Sequence, residues 1–168
     1  MVPLADGSQN IKSMKKIFLS LAFTAFCFNL FSQLACDPTL WPHVYNPQRL
    51  QGEKKCMTIK GIVKQVKEEN DGSYSIQIKL DPGQPTTLLN DKNISLQNSC
   101  MVVTIICAHR PITQPDALKS CGTYESKIKV PKVGDHLQVT GTYVLDTEQN
   151  HGWYELHPVS GIIELQKR

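Results

Sequence analysis

The spacing of apolar and polar residues between positions 132 and 165 predicts a long β-hairpin. On its first strand, alternate positions place four apolar side chains on one face: Leu137, Val139, Tyr143 and Leu145. Gly141 interrupts this strand, and a glycine inside a strand often marks a bend or a bulge. On the return strand Tyr154 and Leu156 share one face, because successive side chains of a strand point in opposite directions. The sequence therefore predicts two paired strands with a bend at Gly141.

Three further strands and one helix are predicted upstream of this hairpin. Residues 56–67 form the first strand, and residues 73–80 alternate cleanly between apolar and polar positions. Residues 100–107 are apolar at both odd and even positions, which indicates a strand covered on both faces. Thr113 precedes an acidic first turn and is the predicted N-cap of a helix that ends near Cys121.

The resulting order is three strands, one helix and two strands. This is the order of an OB-fold, a five-stranded Greek-key barrel, here all-β with a small α content and its helix between strands 3 and 4. Residues 33–55 precede the barrel as an arm whose prolines argue against regular structure, and residues 56–168 form the barrel domain. We expect apolar side chains of the arm, Trp41 among them, to pack across the barrel as a lid.

The N-terminal region, residues 1–32, has the features of an export signal. Two lysines after Met14 precede an apolar run over residues 17–28, and small residues follow before Gln33. This arrangement predicts translation from Met14, cleavage between Ser32 and Gln33, and a secreted or periplasmic mature chain. The apolar run is too short to span a bilayer comfortably, so no transmembrane segment is expected in the mature chain. The alternative is lipoprotein processing at Cys36, for which Gln33 is a poor fit.

An export signal makes the remaining cysteines interpretable as structural bridges. Cys107 and Cys121 flank the predicted helix, and a bridge closing a loop of that size contributes about 3 kcal/mol. A second bridge between Cys36 and Cys56 would tie the arm to the first strand. Cys100 is then a free buried thiol; otherwise Cys36 is lipidated and the pairing shifts.

The charge of the mature chain disfavours nucleic acid as a partner. Without residues 1–32, the chain's 18 basic and 15 acidic residues fall to 15 and 14, which is close to neutral. The two loops beside the usual binding face of an OB-fold carry acidic residues: Glu68, Glu69 and Asp71 in one, and Asp146 and Glu148 in the other. These loops would repel phosphates, and the predicted outward face of the second strand offers no aromatic side chain for a base to stack on.

One row of side chains on the hairpin has ligand-like chemistry. His151, Trp153, Glu155 and His157 follow one another at alternate positions along the return strand. His151, Glu155 and His157 could together bind zinc or copper, since imidazole and carboxylate suit both metals. The structural alternative is that His157 bonds a backbone carbonyl, Glu155 pairs with a lysine, and Trp153 covers the row.

Several segments resemble an uncharacterised family of secreted bacterial OB-fold-like domains. The similarity extends over residues 43–165, and its most specific part is the pattern GDHxxVTGxYVxD followed by HGWxELHP. This resemblance implies a fold and an exported location, and it brings no activity.

Three functions follow as hypotheses. The first is a small binding module for a glycan, peptide or protein partner, using Trp153, Glu155 and His157 together with Trp41. The second is a metal-binding protein or metallohydrolase that uses His151, Glu155 and His157 as metal ligands. The third is a nucleic-acid-binding barrel, which would need a groove lined by Lys60, Lys64, Lys79 and Lys129. We favour the first, and the absence of Gly-x-Ser-x-Gly and His-Glu-x-x-His motifs makes an enzyme the minority interpretation.

Overall fold

The computed structural model describes residues 35–166, so the predicted export signal and its cleavage site lie outside the described residues. The strands are β1 (Leu50–Glu68), β2 (Tyr74–Leu80), β3 (Met101–Ile105), β4 (His136–Asp146) and β5 (Tyr154–Glu164). The helices are α1 (Asp91–Leu96) and α2 (Pro115–Cys121), with 3-10 turns at Pro38–His43, Pro47–Arg49 and Thr86–Leu88.

The strands form one mixed sheet that closes as a ring in the order β1-β2-β3-β5-β4. β4 pairs with β1 to complete the ring, and only β3 and β5 run parallel, with Val102 opposite Glu155. The predicted β-rich class is confirmed, and α2 lies between β3 and β4 as expected. Every strand therefore has a neighbour on each side.

The inside of the ring is filled by alternate apolar side chains of all five strands. Its fully buried members include Ile59, Ile76, Met101, Val139 and Leu156. The predicted irregularity at Gly141 is present, because the β4–β5 register shifts on both sides of this residue. A Cβ at position 141 would lie 2.9 Å from the carbonyl oxygen of Pro158, so the two strands can approach this closely only at a glycine.

A second apolar layer lies outside the ring, against the end of β4 and the residues that follow β3. It is built by the arm and α2, and its buried members include Leu40, Val44, Ile106, Ala117 and Val144. Every residue of β3 is buried, as the apolar pattern on both faces of that strand predicted. The arm therefore packs as a lid over one side of the ring.

The start of β1 and the N-cap of α2 differ from the predictions. β1 begins at Leu50, so the boundary placed between residues 55 and 56 falls inside this strand. A register shift between Gln51 and Lys55 accommodates the polar, glycine-containing segment that made these residues resemble a loop. α2 begins at Pro115, so its N-cap is Gln114, and the hydroxyl of the predicted cap Thr113 donates to the carbonyl of Asn70.

Disulfide bonds join Cys36 to Cys56 and Cys107 to Cys121, the two pairs that the sequence predicts. Cys100 is free and buried. Because Cys36 is in a disulfide bond, its sulfur is not available for the thioether of a lipoprotein. Two disulfides are consistent with an extracellular or periplasmic protein. Among residues 35–166, no helix is long and apolar enough to cross a membrane.

Candidate functional site

A groove of about 560 Å³ crosses the outer face of β2 and β3. Residues of the β1–β2 turn and the β4–β5 loop also line it, and the arm contributes Tyr45 and Arg49. Small polar side chains cover much of its surface, including Gln65, Ser75, Gln77, Gln97, Asn98 and Thr104. Such a surface offers both hydrogen-bond donors and acceptors to a ligand.

An ion pair between the arm and the end of β4 lies at one side of the groove. The guanidinium of Arg49 donates from Nη1 to Oδ2 of Asp146 and lies 3.1 Å from Oε2 of Glu148. Arg49 directly precedes β1, and the pairing of Leu50 with Asp146 brings the two charges together. The side chain of Asp146 is only 1% exposed, so its charge needs this partner.

His151 shares the same carboxylate. Its Nδ1 lies 2.8 Å from Oδ2 of Asp146, and its ring stacks on that of Trp153 with 4.0 Å between the centroids. The positive φ angles of Asn150 and Gly152 turn the loop so that His151 can reach back to the end of β4. Since an ionised carboxylate only accepts hydrogen bonds, we assign the proton of this contact to Nδ1, which leaves Nε2 as the acceptor of a neutral ring.

The surroundings keep both partners of the ion pair charged. Burial alone would raise the pKa of Asp146, but the backbone N–H of Glu148, the charge of Arg49 and the bond from His151 together lower it below the usual range. Burial alone would lower the pKa of Arg49, but Glu155, Asp146 and Glu148 together raise it. The nearest charges therefore outweigh desolvation at both groups.

The structure divides the predicted His/Glu row between two pairs. His151, Trp153 and Glu155 line the groove, whereas His157 does not. His157 is buried, 2% exposed, with its Nδ1 3.0 Å from Oε1 of Glu155. Glu155 therefore pairs with a histidine rather than with a lysine, and His151 pairs with Asp146.

One cluster of histidine and carboxylate groups has the spacing of a metal site. Among the described residues, Asp146, Glu148 and His151 could each place one ligand atom near a metal ion, because these atoms lie within 4.8 Å of one another. Arg49 already donates to one of these carboxylates and lies beside the other. A divalent cation between them would lie next to the guanidinium charge, so this donor set does not fit zinc or copper well.

Three buried polar atoms of the groove residues have no hydrogen-bond partner within the described protein. They are the donors Nε of Arg49 and Nε1 of Trp153 and the acceptor Oε1 of Gln114. Leaving a buried polar atom unpaired costs about 1–3 kcal/mol, and most such atoms in folded proteins are paired.

The groove carries a formal charge of −3 when its histidine is neutral. Its acidic residues are Glu69, Asp71, Asp146, Glu148 and Glu155, and its basic residues are Arg49 and Lys67. None of the four lysines that would favour nucleic acid lines it, namely Lys60, Lys64, Lys79 and Lys129. The electrostatics of the groove therefore oppose a phosphate backbone.

The sequence does not predict which residues of the arm reach the groove. Trp41 does not line it, and instead packs beside the second apolar layer with Nζ of Lys54 4.2 Å from its ring. Arg49 and Tyr45 of the arm line the groove, as does Gln114 at the start of α2. No local pattern marks these three residues, because their positions depend on how the arm and α2 pack on the ring.

Comparisons of the chain with protein-family models, with curated proteins and with solved structures find no match.

Proposed function

We propose that this protein is an exported carbohydrate-binding module with an OB-type fold. The strand order of the ring and the position of α2 support that fold, which binds oligonucleotides and oligosaccharides on strands 2 and 3 and on the flanking loops. The groove lies in this region. The signal-like pattern between Met14 and Ser32, together with the two disulfide bonds, supports export.

The observation that carries this proposal is the polar lining of the groove on the outer face of β2 and β3. Its amide and hydroxyl side chains include Ser75, Gln77, Gln97, Asn98 and Thr104. Sugar hydroxyls, like these side chains, can both donate and accept hydrogen bonds, so a carbohydrate can pair with them along the groove.

Other ligand classes have less support from this geometry. A nucleic acid would bring phosphates into a groove with a formal charge of −3. A peptide added as an extra strand needs a free sheet edge, and each strand of this ring already has two neighbours. A carbohydrate needs neither a positive groove nor a free edge.

Glycan-array binding followed by calorimetry tests the proposal, using protein purified from an oxidising periplasm. We expect binding to at least one class of array glycan, and we expect Trp153→Phe to weaken it about tenfold because the groove loses part of the indole surface that lines it. Trp41→Phe is the matched control, since Trp41 lies outside the groove, and it should bind as the unaltered protein does. No binding to any glycan, or equal affinity of the Trp153→Phe variant, would overturn the proposal.

A further inference from the structure

We infer that the groove selects uncharged carbohydrate chains over chains that carry carboxylate or sulfate groups, and that the amides of Gln77, Gln97 and Asn98 are the contacts that set this preference. This inference rests on the proposed function and adds the chemical class of the carbohydrate. It follows from the hydrogen bonds that these amides make and from how the cations of the groove are paired.

The three amide side chains form one hydrogen-bonded chain within the groove. Nδ2 of Asn98 donates to Oε1 of Gln77 at 3.3 Å, and Nε2 of Gln77 donates to Oε1 of Gln97 at 2.8 Å. Within the described residues, Oδ1 of Asn98 and Nε2 of Gln97 make no further hydrogen bond. The chain therefore offers a ligand one acceptor and one donor, and neither of them is charged. A sugar hydroxyl can pair with either, because it both donates and accepts.

The backbone fixes the position of these amides. Gln77 belongs to β2, Gln97 is the C-cap of α1, and Asn98 begins a turn in which its own φ is +55° and that of Ser99 is +56°. Two successive left-handed residues other than glycine are uncommon, and such backbone outliers concentrate at binding sites. The backbone N–H of Ser99 donates to the carbonyl of Asn93 at 3.0 Å and holds the turn in place. The amides are thus ordered before a ligand arrives, which lowers the entropy cost of binding.

Both basic side chains that line the groove are already paired with carboxylates. Nζ of Lys67 lies 2.8 Å from Oε2 of Glu69, and the guanidinium of Arg49 is paired with Asp146 and Glu148. A carboxylate or sulfate that bound either cation would displace a protein carboxylate and leave it unpaired beside the new charge. An anionic ligand therefore gains no net ion pair in the groove.

The cation beside the amide chain is directed elsewhere. Nζ of Lys79 donates to the carbonyl oxygen of Ser99 at 3.4 Å, and Lys79 does not line the groove. An anionic group that enters the groove loses part of its hydration and receives hydrogen bonds from neutral amides, which are about half as strong as those from charged donors. The formal charge of −3 adds repulsion. A hydroxyl group bears neither cost.

Calorimetry with matched probes tests the inference at low salt and about pH 7.5, where ordinary carboxylates are ionised. The probes are neutral hexasaccharides of glucose, mannose, galactose and N-acetylglucosamine, together with every neutral array glycan that binds. Each chain is compared with the same chain after oxidation of its primary hydroxyls to carboxylates, and with the methyl ester of that oxidised chain. We expect the oxidised chain to bind about tenfold more weakly than its parent, and the neutral ester to recover the affinity. The difference should shrink at high salt, because salt screens the repulsion.

A single added cation should weaken the preference. Gln97→Lys places an ammonium at the end of the amide chain, so the ratio of the two affinities should move towards one. Gln166→Lys is the matched control, because it makes the same change at an exposed residue outside the groove. It should keep the ratio of the unaltered protein.

The outcomes separate the two proposals. Oxidised chains that bind as tightly as their parents, or binding to acidic array glycans alone, would overturn the preference for uncharged chains and leave carbohydrate binding intact. An ester as weak as its oxidised chain would do the same, since the loss would then come from the missing hydroxyls rather than from charge. An unchanged ratio in Gln97→Lys, or an equal change in Gln166→Lys, would also overturn the preference. Failure of every neutral probe and every array glycan to bind would overturn both proposals.

Discussion

Arg49 and Asp146 lie 97 residues apart in the chain and form a hydrogen-bonded ion pair at the side of the groove. This contact links the arm to the end of β4 and holds the carboxylate that orients His151. The groove therefore depends on a contact between the arm and the ring. The contribution of this ion pair to the free energy of unfolding can be measured directly.

Replacing Arg49 by methionine should destabilise the protein by about 3 kcal/mol. The substitution keeps much of the side-chain volume but leaves Asp146 as a buried charge without its partner, which typically costs about 3–5 kcal/mol. Urea denaturation followed by circular dichroism measures the change. The double variant Arg49→Met/Asp146→Asn should recover part of the loss, and a loss below about 1 kcal/mol in Arg49→Met alone would contradict this account.

The ion pair should also make stability depend on pH in the acid range. The pKa of Asp146 is lower in the folded protein than its ordinary value, so its ionised form stabilises the fold. That contribution is complete above the ordinary aspartate pKa of about 4 and is lost as the pH falls through the lower folded-state pKa. The difference in unfolding free energy between the unaltered protein and Asp146→Asn should therefore narrow between about pH 6 and about pH 2. A difference that does not change with pH would show that Asp146 does not contribute in this way.

Gly61→Ala should destabilise the protein by about 3 kcal/mol, because β1 and β2 approach too closely for a side chain at this position. A Cβ there would clash with the backbone carbonyl oxygen of Lys79 and would lie 2.7 Å from Cγ2 of Ile78. Gly83→Ala is the matched control: it has open space around it and a φ of +89°, so only backbone strain of about 1 kcal/mol is expected. Thermal and urea denaturation compare the two, and equal costs would argue against a steric clash at Gly61.

Cys100 should be the single reactive thiol of the exported chain, and only after unfolding. Its side chain is 1% exposed, and burial raises the pKa of its thiol, which lowers the fraction present as reactive thiolate. Titration with a chromogenic thiol reagent should find almost no thiol in native protein and one per chain in denaturant. Three or more thiols in denaturant would contradict the two disulfide bonds, and rapid native labelling would contradict the burial of Cys100.

Local patterns predicted the strands and the disulfide pairs well. The alternation of β2 fixed which side chains face the core, because a strand has a period of two residues whatever its neighbours are. The apolar pattern of residues 100–107 indicated a strand covered on both faces, and every residue of β3 is buried. Cys107 and Cys121 flank a short helix, so their pairing followed from their nearness in the chain.

The same reasoning placed His151, Trp153, Glu155 and His157 in one row but could not give their partners. Alternation along β5 gives the face of a side chain and not what packs against that face. His157 is buried and pairs with Glu155 at the groove, and the β4–β5 loop turns His151 towards Asp146. Arg49 was missed because its importance comes from a residue far away in the chain.

The sequence by itself determined the β-rich class, the alternating core, the cysteine pairs and the acidic character of the two loops. These properties depend on residue type and on neighbours within a few positions. Only the tertiary structure decided that the arm supplies Arg49 to the groove, that Trp41 stays outside it, and that three polar atoms there remain unpaired. These features arise because closure of the ring and packing of the arm bring distant segments of the chain together. A local pattern of apolar and polar residues carries no information about such contacts.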